Sequence, residues 1–254
     1  MSDKQFPEGM EPLGKSSFRF GCHPRVACYK SCCRDLHMTL YPYDIIRLKN
    51  GLGITAAEFL QRYTVIGRGS NPYFPSLSMK MADNEEKTCP FLGEGGCLVY
   101  KDRPSACRTY PLERAVDRSP QRGRPEEFYF LTSHPYCKGH MEETEWTVRE
   151  WLRDQWVQEF NNMNDLWAEV DTVLTANPFK GEGAGGPKQQ MAFMVCYNID
   201  GFRQFVAESG LLDRFSLDKA RRKLIRKSDD ELQKFGFDWL KFSLAGQPTL
   251  VPKR

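Results

Sequence analysis

At 254 residues, 40% hydrophobic and 13% aromatic, the chain has the make-up of a globular protein large enough to bury a core without covalent staples. Its 36 basic and 33 acidic residues leave a net charge of +3, which excludes the strongly basic character of a nucleic-acid-binding chain. No window approaches the ~18 consecutive apolar residues of a membrane span. Residues 1–20 carry charges and prolines where a secretory signal would carry an apolar run, so a cytoplasmic location is expected.

Residues 1–17 read as a flexible polar tail, and Phe18-Arg19-Phe20 leads into a first cysteine group, Cys22-x5-Cys28-x3-Cys32-Cys33. Gly21 and Pro24 place that group on an irregular loop. Met38-Thr39-Leu40 is a short strand, Pro42 opens a helix that stops at Asn50-Gly51, and Thr55-x-x-Glu58 is a capping box for the next. Residues 64–88 are turn-rich, with strand-like alternation at Tyr73-Phe74 and from Leu77 to Met81. A second cysteine group follows, Cys89, Cys97 and Cys107, with Gly93, Gly95, Gly96 and Pro104 between. From Lys101 to Arg124 seven basic residues face three acids, and Ser119 to Pro125 reads as a solvated loop. The buried strand Phe128–Leu131 then delivers the chain to Cys137.

After His140 the pattern changes. Val148, Leu152, Trp156, Phe160, Met163, Trp167, Val170 and Leu174 recur at helical spacing, which predicts one long amphipathic helix over 144–176 with a bend at Asn161-Asn162 or Asn164. A Gly-rich linker spans 181–187, and three helices capped by Asp200, Ser216 and Ser228 run to residue 246. The expected architecture is mainly α with short β strands. An irregular cysteine-rich metal-binding domain covers 18–140, and a helical C-terminal half covers 141–254.

Eight of the nine cysteines fall within the first 137 residues. In a reducing compartment such clustering points to metal rather than disulfides, and adjacent Cys32-Cys33 suits a simple disulfide framework poorly. Thiolates suit zinc, iron–sulfur clusters and Cu(I). The spacings only half-resemble the Cys-x2–4-Cys pairs of tetrahedral zinc, and clusters accept looser ones. Cys22, Cys28, Cys32, Cys33, Cys89, Cys97, Cys107 and Cys137 are therefore the expected ligands of one or two centres. Cys196, among apolar residues, reads as a buried thiol. Arg103 and Arg108 flank Cys107 and can donate to cluster sulfurs or pair with Asp102 or Glu113, while Tyr100 and Tyr110 can pack over the site. His37, His134 and His140 lie near cysteines, where hydrogen-bonded histidine is the commoner role.

Cys89-Pro90-Phe91-Leu92 followed by Gly96-Cys97-Leu98-Val99-Tyr100-x2-Arg103-Pro104-x2-Cys107-Arg108-x-Tyr110-Pro111 resembles the bacterial cysteine-cluster family described as a zinc- or iron-chelating domain, over roughly residues 18–140. The first group departs from the family's tighter Cys-x2–3-Cys-x2-Cys-Cys, which leaves His23 as an alternative donor beside Cys22. The flagellin lysine N-methylases resemble the same family, and methyl transfer from S-adenosylmethionine linked to an iron–sulfur centre is inferred for them. Only the cysteines carry over to this chain. Within residues 18–140 no Gly-x-Gly-x-x-Gly loop for S-adenosylmethionine is present, nor the Cys-x3-Cys-x2-Cys run of radical enzymes that use it.

The expected function is a cytosolic metal-binding protein holding a 4Fe–4S cluster, or zinc, with a redox or metal-handling role. One alternative is a cluster-dependent enzyme, such as an S-adenosylmethionine-using methyltransferase acting on a protein substrate. Another is a structural zinc module whose Trp146–Leu174 stripe binds a protein partner. Neither nucleic acid nor membrane is expected among the partners.

Overall fold

The computed structural model describes residues 11–67, 69–118, 125–183 and 185–253. In chain order they form β1 (Ser17–Arg19), β2 (Thr39–Leu40), α1 (Pro42–Leu52), α2 (Ala56–Tyr63), β3 (Thr64–Gly67), β4 (Ser76–Met79), β5 (Leu92–Gly93) and β6 (Gly96–Cys97). These are followed by α3 (Ser105–Thr109), β7 (Leu112–Asp117), β8 (Glu126–Leu131), β9 (Glu145–Thr147) and α4 (Val148–Asp154). The C-terminal elements are α5 (Val157–Thr175), α6 (Pro187–Tyr197), α7 (Ile199–Glu208), α8 (Lys219–Lys227) and α9 (Asp229–Ala245). The protein is mainly α with short strands, as its sequence predicts. It divides into two compact units, Met1–Arg34 with Ser105–Gln158, and Asp35–Pro104 with Glu159–Arg254.

The first unit is built on two antiparallel ribbons, β1 with β9 and β7 with β8. Alternation in Phe18-Arg19-Phe20 turns both phenylalanines inward, where they pack with Leu112, Tyr129 and Trp151. Trp146 and Trp151 meet edge to face, and their indole N–H groups donate to the Phe20 and Thr109 carbonyls at 2.9 and 3.0 Å. Residues 12–17 also belong to this packing. Pro12 bridges Phe130, the Leu13 N–H donates to the Tyr129 carbonyl, and Leu13 seats on the same core. Of the predicted tail, only 1–10 lie outside the described residues, as do Ser119–Arg124 of the predicted loop.

The long helix expected over 144–176 is two helices. Thr147 and Glu150 form a reciprocal capping box that starts α4 after β9, and Trp156 adopts φ 55° between α4 and α5. The bend therefore falls at Gln155–Trp156 and not at the asparagines. It turns Trp156 out to 72% exposure, whereas the rest of the stripe in α5 (Phe160, Met163, Trp167, Val170, Leu174) is buried.

The second unit packs α1, α2 and α5–α9 with the three-stranded antiparallel sheet β2-β4-β3 and the β5–β6 hairpin. Its aromatic core includes Tyr43, Phe59, Phe160, Phe202, Phe235 and Phe237. The helix α6 went unforeseen, because its apolar residues do not form a clean stripe. It buries Ala192, Val195, Cys196 and Tyr197. Two predicted caps are displaced. Asn198, not Asp200, caps α7, and the Asp200 carboxylate accepts instead from the Ala56 N–H at 2.6 Å and from Lys49 at 3.0 Å. Asp218, not Ser216, caps α8, while the Ser216 N–H donates to the Val251 carbonyl. Thr55 and Ser228 cap α2 and α9 as predicted.

Candidate metal centre

Two loops of the first unit carry the thiols. The first leaves β1 through Gly21 and runs by successive turns, with Val26 N–H donating to the His23 carbonyl and Ser31 N–H to the Cys28 carbonyl. It ends in a 3₁₀ turn over Ser31–Cys33, entered through Lys30 at φ 72°. The second follows β8, closes with Cys137 N–H on the His134 carbonyl, and passes through a 3₁₀ turn at Gly139–Met141 into β9. The loops are laced together. Gly21 N–H donates to the Gly139 carbonyl at 3.0 Å, and Lys138 N–H donates to Cys28 Sγ at 3.0 Å. A Cβ on Gly139 would stand 2.6 Å from the Phe20 ring and 2.7 Å from the Gly21 carbonyl, so only glycine allows this approach.

This lacing sets Cys28 against the segment that begins at Cys137, with the half-exposed Tyr136 within electrostatic reach of both loops' cysteines. Burial raises the Tyr136 phenol above its ordinary range, and negative charge on Cys32, Cys137, Cys28 and Cys33 raises it further. A hydrogen bond from Cys33 lowers the Cys32 thiol to about 7 against the opposing effect of burial, so near neutral pH much of it is thiolate, the form that binds metal. Burial, and then a hydrogen bond to Cys137, raises the Tyr110 phenol. Tyr110, His134 and Tyr136 form a parallel stack, with ring centroids 5.6 and 5.2 Å apart. His140 lies 3.5 Å from the Tyr110 hydroxyl, and burial lowers its ring pKa.

Among the described residues no three His, Cys, Asp or Glu side chains are already drawn into a coordination sphere. The four thiols are gathered rather than converged. Each cysteine has a single side-chain torsion, so rotation about χ1 is the first movement that would close them on an ion. The donor chemistry, thiols alone, fits zinc or iron and not magnesium or calcium.

The other predicted residues sort as follows. Cys22 and Cys107 lie in the first unit and are exposed. Cys89 and Cys97 lie in the second unit, half-buried at the margin of its apolar core, Cys97 on the β5–β6 hairpin and Cys89 in the turn before it. Cys196 is buried, and burial raises its thiol well above the usual range. Arg108 is buried and donates to the Gln155 carbonyl at 2.6 Å, holding the break between α4 and α5. Arg103 donates to the Tyr100 carbonyl and stacks 3.9 Å above the Tyr100 ring, both in the second unit. Asp102 pairs with Arg47 on α1 at 2.7 Å, rather than with either of the flanking arginines. Tyr136, Lys138 and Glu142 were not singled out in the sequence. Their nearness to Cys137 along the chain was the only available signal.

Residues 21–138 match the family model CxxCxxCC, described as "Putative zinc- or iron-chelating domain". The matched cysteine-cluster domain draws residues from both compact units, and its description supports metal binding by cysteines. No curated protein and no solved structure matched the chain. The cysteine-cluster chain has no helix, among the described residues, long and apolar enough to cross a membrane.

Proposed function

We propose that the first unit holds one thiolate-ligated metal centre, an iron–sulfur cluster, with ligands drawn from Cys28, Cys137 and the Cys32–Cys33 pair. The observation that carries this reading is the Lys138 N–H bond to Cys28 Sγ, which sets the first cysteine loop against the segment that begins at Cys137. The donors come from two loops more than a hundred positions apart; Cys28-x3-Cys32 has the spacing of one zinc knuckle, but Cys137 has no second cysteine at such a spacing, and clusters tolerate that scatter. When bound, a cluster supplies one-electron redox chemistry. The chain's own groups tune the site: Lys138 N–H donates to Cys28 Sγ, and the Tyr110 hydroxyl donates to Cys137. Of the four residues expected beside the cofactor, Tyr110 is the one this reading retains. Thiolate ligation needs reduced cysteines, which supports a reducing compartment such as the cytoplasm.

Neither of the two clefts described, one lined by Lys15, Arg149 and Arg153 and the other by Tyr73, Phe179 and Gln189, is lined by a cysteine. Only the cysteines carry the resemblance to the methylases, so metal handling or electron transfer is better supported than methyl transfer. The test is anaerobic purification with elemental analysis and a visible spectrum of the same sample. Up to four irons per chain with a broad absorbance near ~400 nm is expected. Cys28→Ser and Cys137→Ser should abolish it, and Cys196→Ala should leave it intact. A colourless protein carrying zinc, or Cys137→Ser with full iron content, would overturn the reading.

A further inference from the structure

We infer that His23 is a ligand of the same centre through Nδ1, held in place by Glu142. The inference rests on the thiolate reading above and adds a nitrogen to it.

His23 Nε2 lies 2.9 Å from Glu142 Oε2. A carboxylate oxygen accepts, so the imidazole donates there, and the neutral ring carries its proton on Nε2. The tautomer is thereby set, and Nδ1 is left with its lone pair. That Nδ1 atom is buried and has no hydrogen-bond partner in the structure. A buried, unpaired acceptor nitrogen is costly, and one whose opposite ring nitrogen is pinned by a carboxylate has the arrangement of a metal-bound histidine, in which the carboxylate orients the ring.

The position agrees with the chemistry. His23 stands five residues before Cys28 on the same loop. The Gly21–Gly139 hydrogen bond, the His23–Glu142 bond and the Lys138–Cys28 bond tie the first loop to the segment that begins at Cys137. Glu142 N–H donates to the Gly139 carbonyl at 3.3 Å, and its side chain would meet a Cβ on Gly21 at 2.9 Å, so the orienting carboxylate is itself packed in place. Cys28, Cys137 and one member of the Cys32–Cys33 pair then supply three sulfurs, and His23 supplies the fourth ligand.

The experiment is an anaerobic cobalt(II) titration of the metal-free full chain, followed by absorption and pulsed magnetic-resonance spectra. Wild type should show sulfur-to-cobalt charge transfer together with a strongly coupled nitrogen. His23→Ala should remove the nitrogen coupling and weaken binding at least tenfold, and added imidazole should restore both. Glu142→Gln keeps the ring and should weaken binding by about 10–100-fold, which separates ligation from a folding defect in His23→Ala. A wild-type spectrum with sulfur bands but no coupled nitrogen, and His23→Ala binding as tightly as wild type, would overturn the His23 assignment alone. Absence of sulfur-to-cobalt bands in wild type would overturn the thiolate reading and this inference with it.

Discussion

Cys32 shows how one neighbour changes a side chain's chemistry. An isolated thiol titrates near ~8.5, and burial alone would move it higher. The hydrogen bond from Cys33 outweighs that effect and brings Cys32 to about 7. In the metal-free protein, alkylation of Cys32 by iodoacetamide should rise with pH through a midpoint near that value and then level off, because the thiolate is the reacting form. Cys33→Ala removes the stabilising donor, so the midpoint should move upward. A wild-type midpoint at the value of a free thiol would show that the hydrogen bond does not form in solution. Cys196 should stay unreactive throughout while the protein is folded, since burial disfavours its thiolate.

At the scale of elements, the break between α4 and α5 is the clearest departure from the periodicity of the chain. Helical spacing counts Trp156 among the core residues, yet φ 55° at that residue turns it to solvent. Left-handed backbone is costly for any residue with a Cβ and free for glycine, so Trp156→Gly should stabilise the protein by about 1 kcal/mol in denaturant unfolding. Trp151→Ala, by contrast, empties a buried site between Phe18 and Phe20 and should cost ~3–5 kcal/mol. Loss of stability in Trp156→Gly comparable to that in Trp151→Ala would show that Trp156 packs in solution. The N-caps at Thr55 and Ser228 were legible because a cap is a local matter of side chain and backbone three residues apart. Asp200 and Ser216 match cap composition equally well, but tertiary partners, Lys49 and Ala56 for the first and Val251 for the second, claim their groups.

For the whole molecule, the two compact units differ in what sustains them. The second has the extensive aromatic core and a buried ion cluster, Lys49 with Asp200 and Asp229, the latter also held by Arg203. The first has a small core and contains the four thiols proposed as ligands, so metal bound there would contribute folding free energy. Removing metal with a chelator should therefore speed amide exchange in residues 22–33 and 132–142 while α6, α7 and α9 keep their protection. Equal loss of protection in those helices would show that the metal sustains the second unit as well.

The kind of chemistry was legible in the chain alone. Thiols grouped in sequence announce a soft metal because ligand type is a property of composition, and the helices announce themselves through 3.6-residue periodicity. Which thiols share a centre was not legible, because that depends on long-range lacing: Gly21 against Gly139, and Lys138 against Cys28. The same tertiary hydrogen bonds set Cys28 against the segment that begins at Cys137 and fix the His23 ring through Glu142, whereas Cys89 and Cys97 fold into the second unit. Sequence proximity could rank none of these, since each depends on contacts between residues more than a hundred positions apart or on the course of a loop without regular structure.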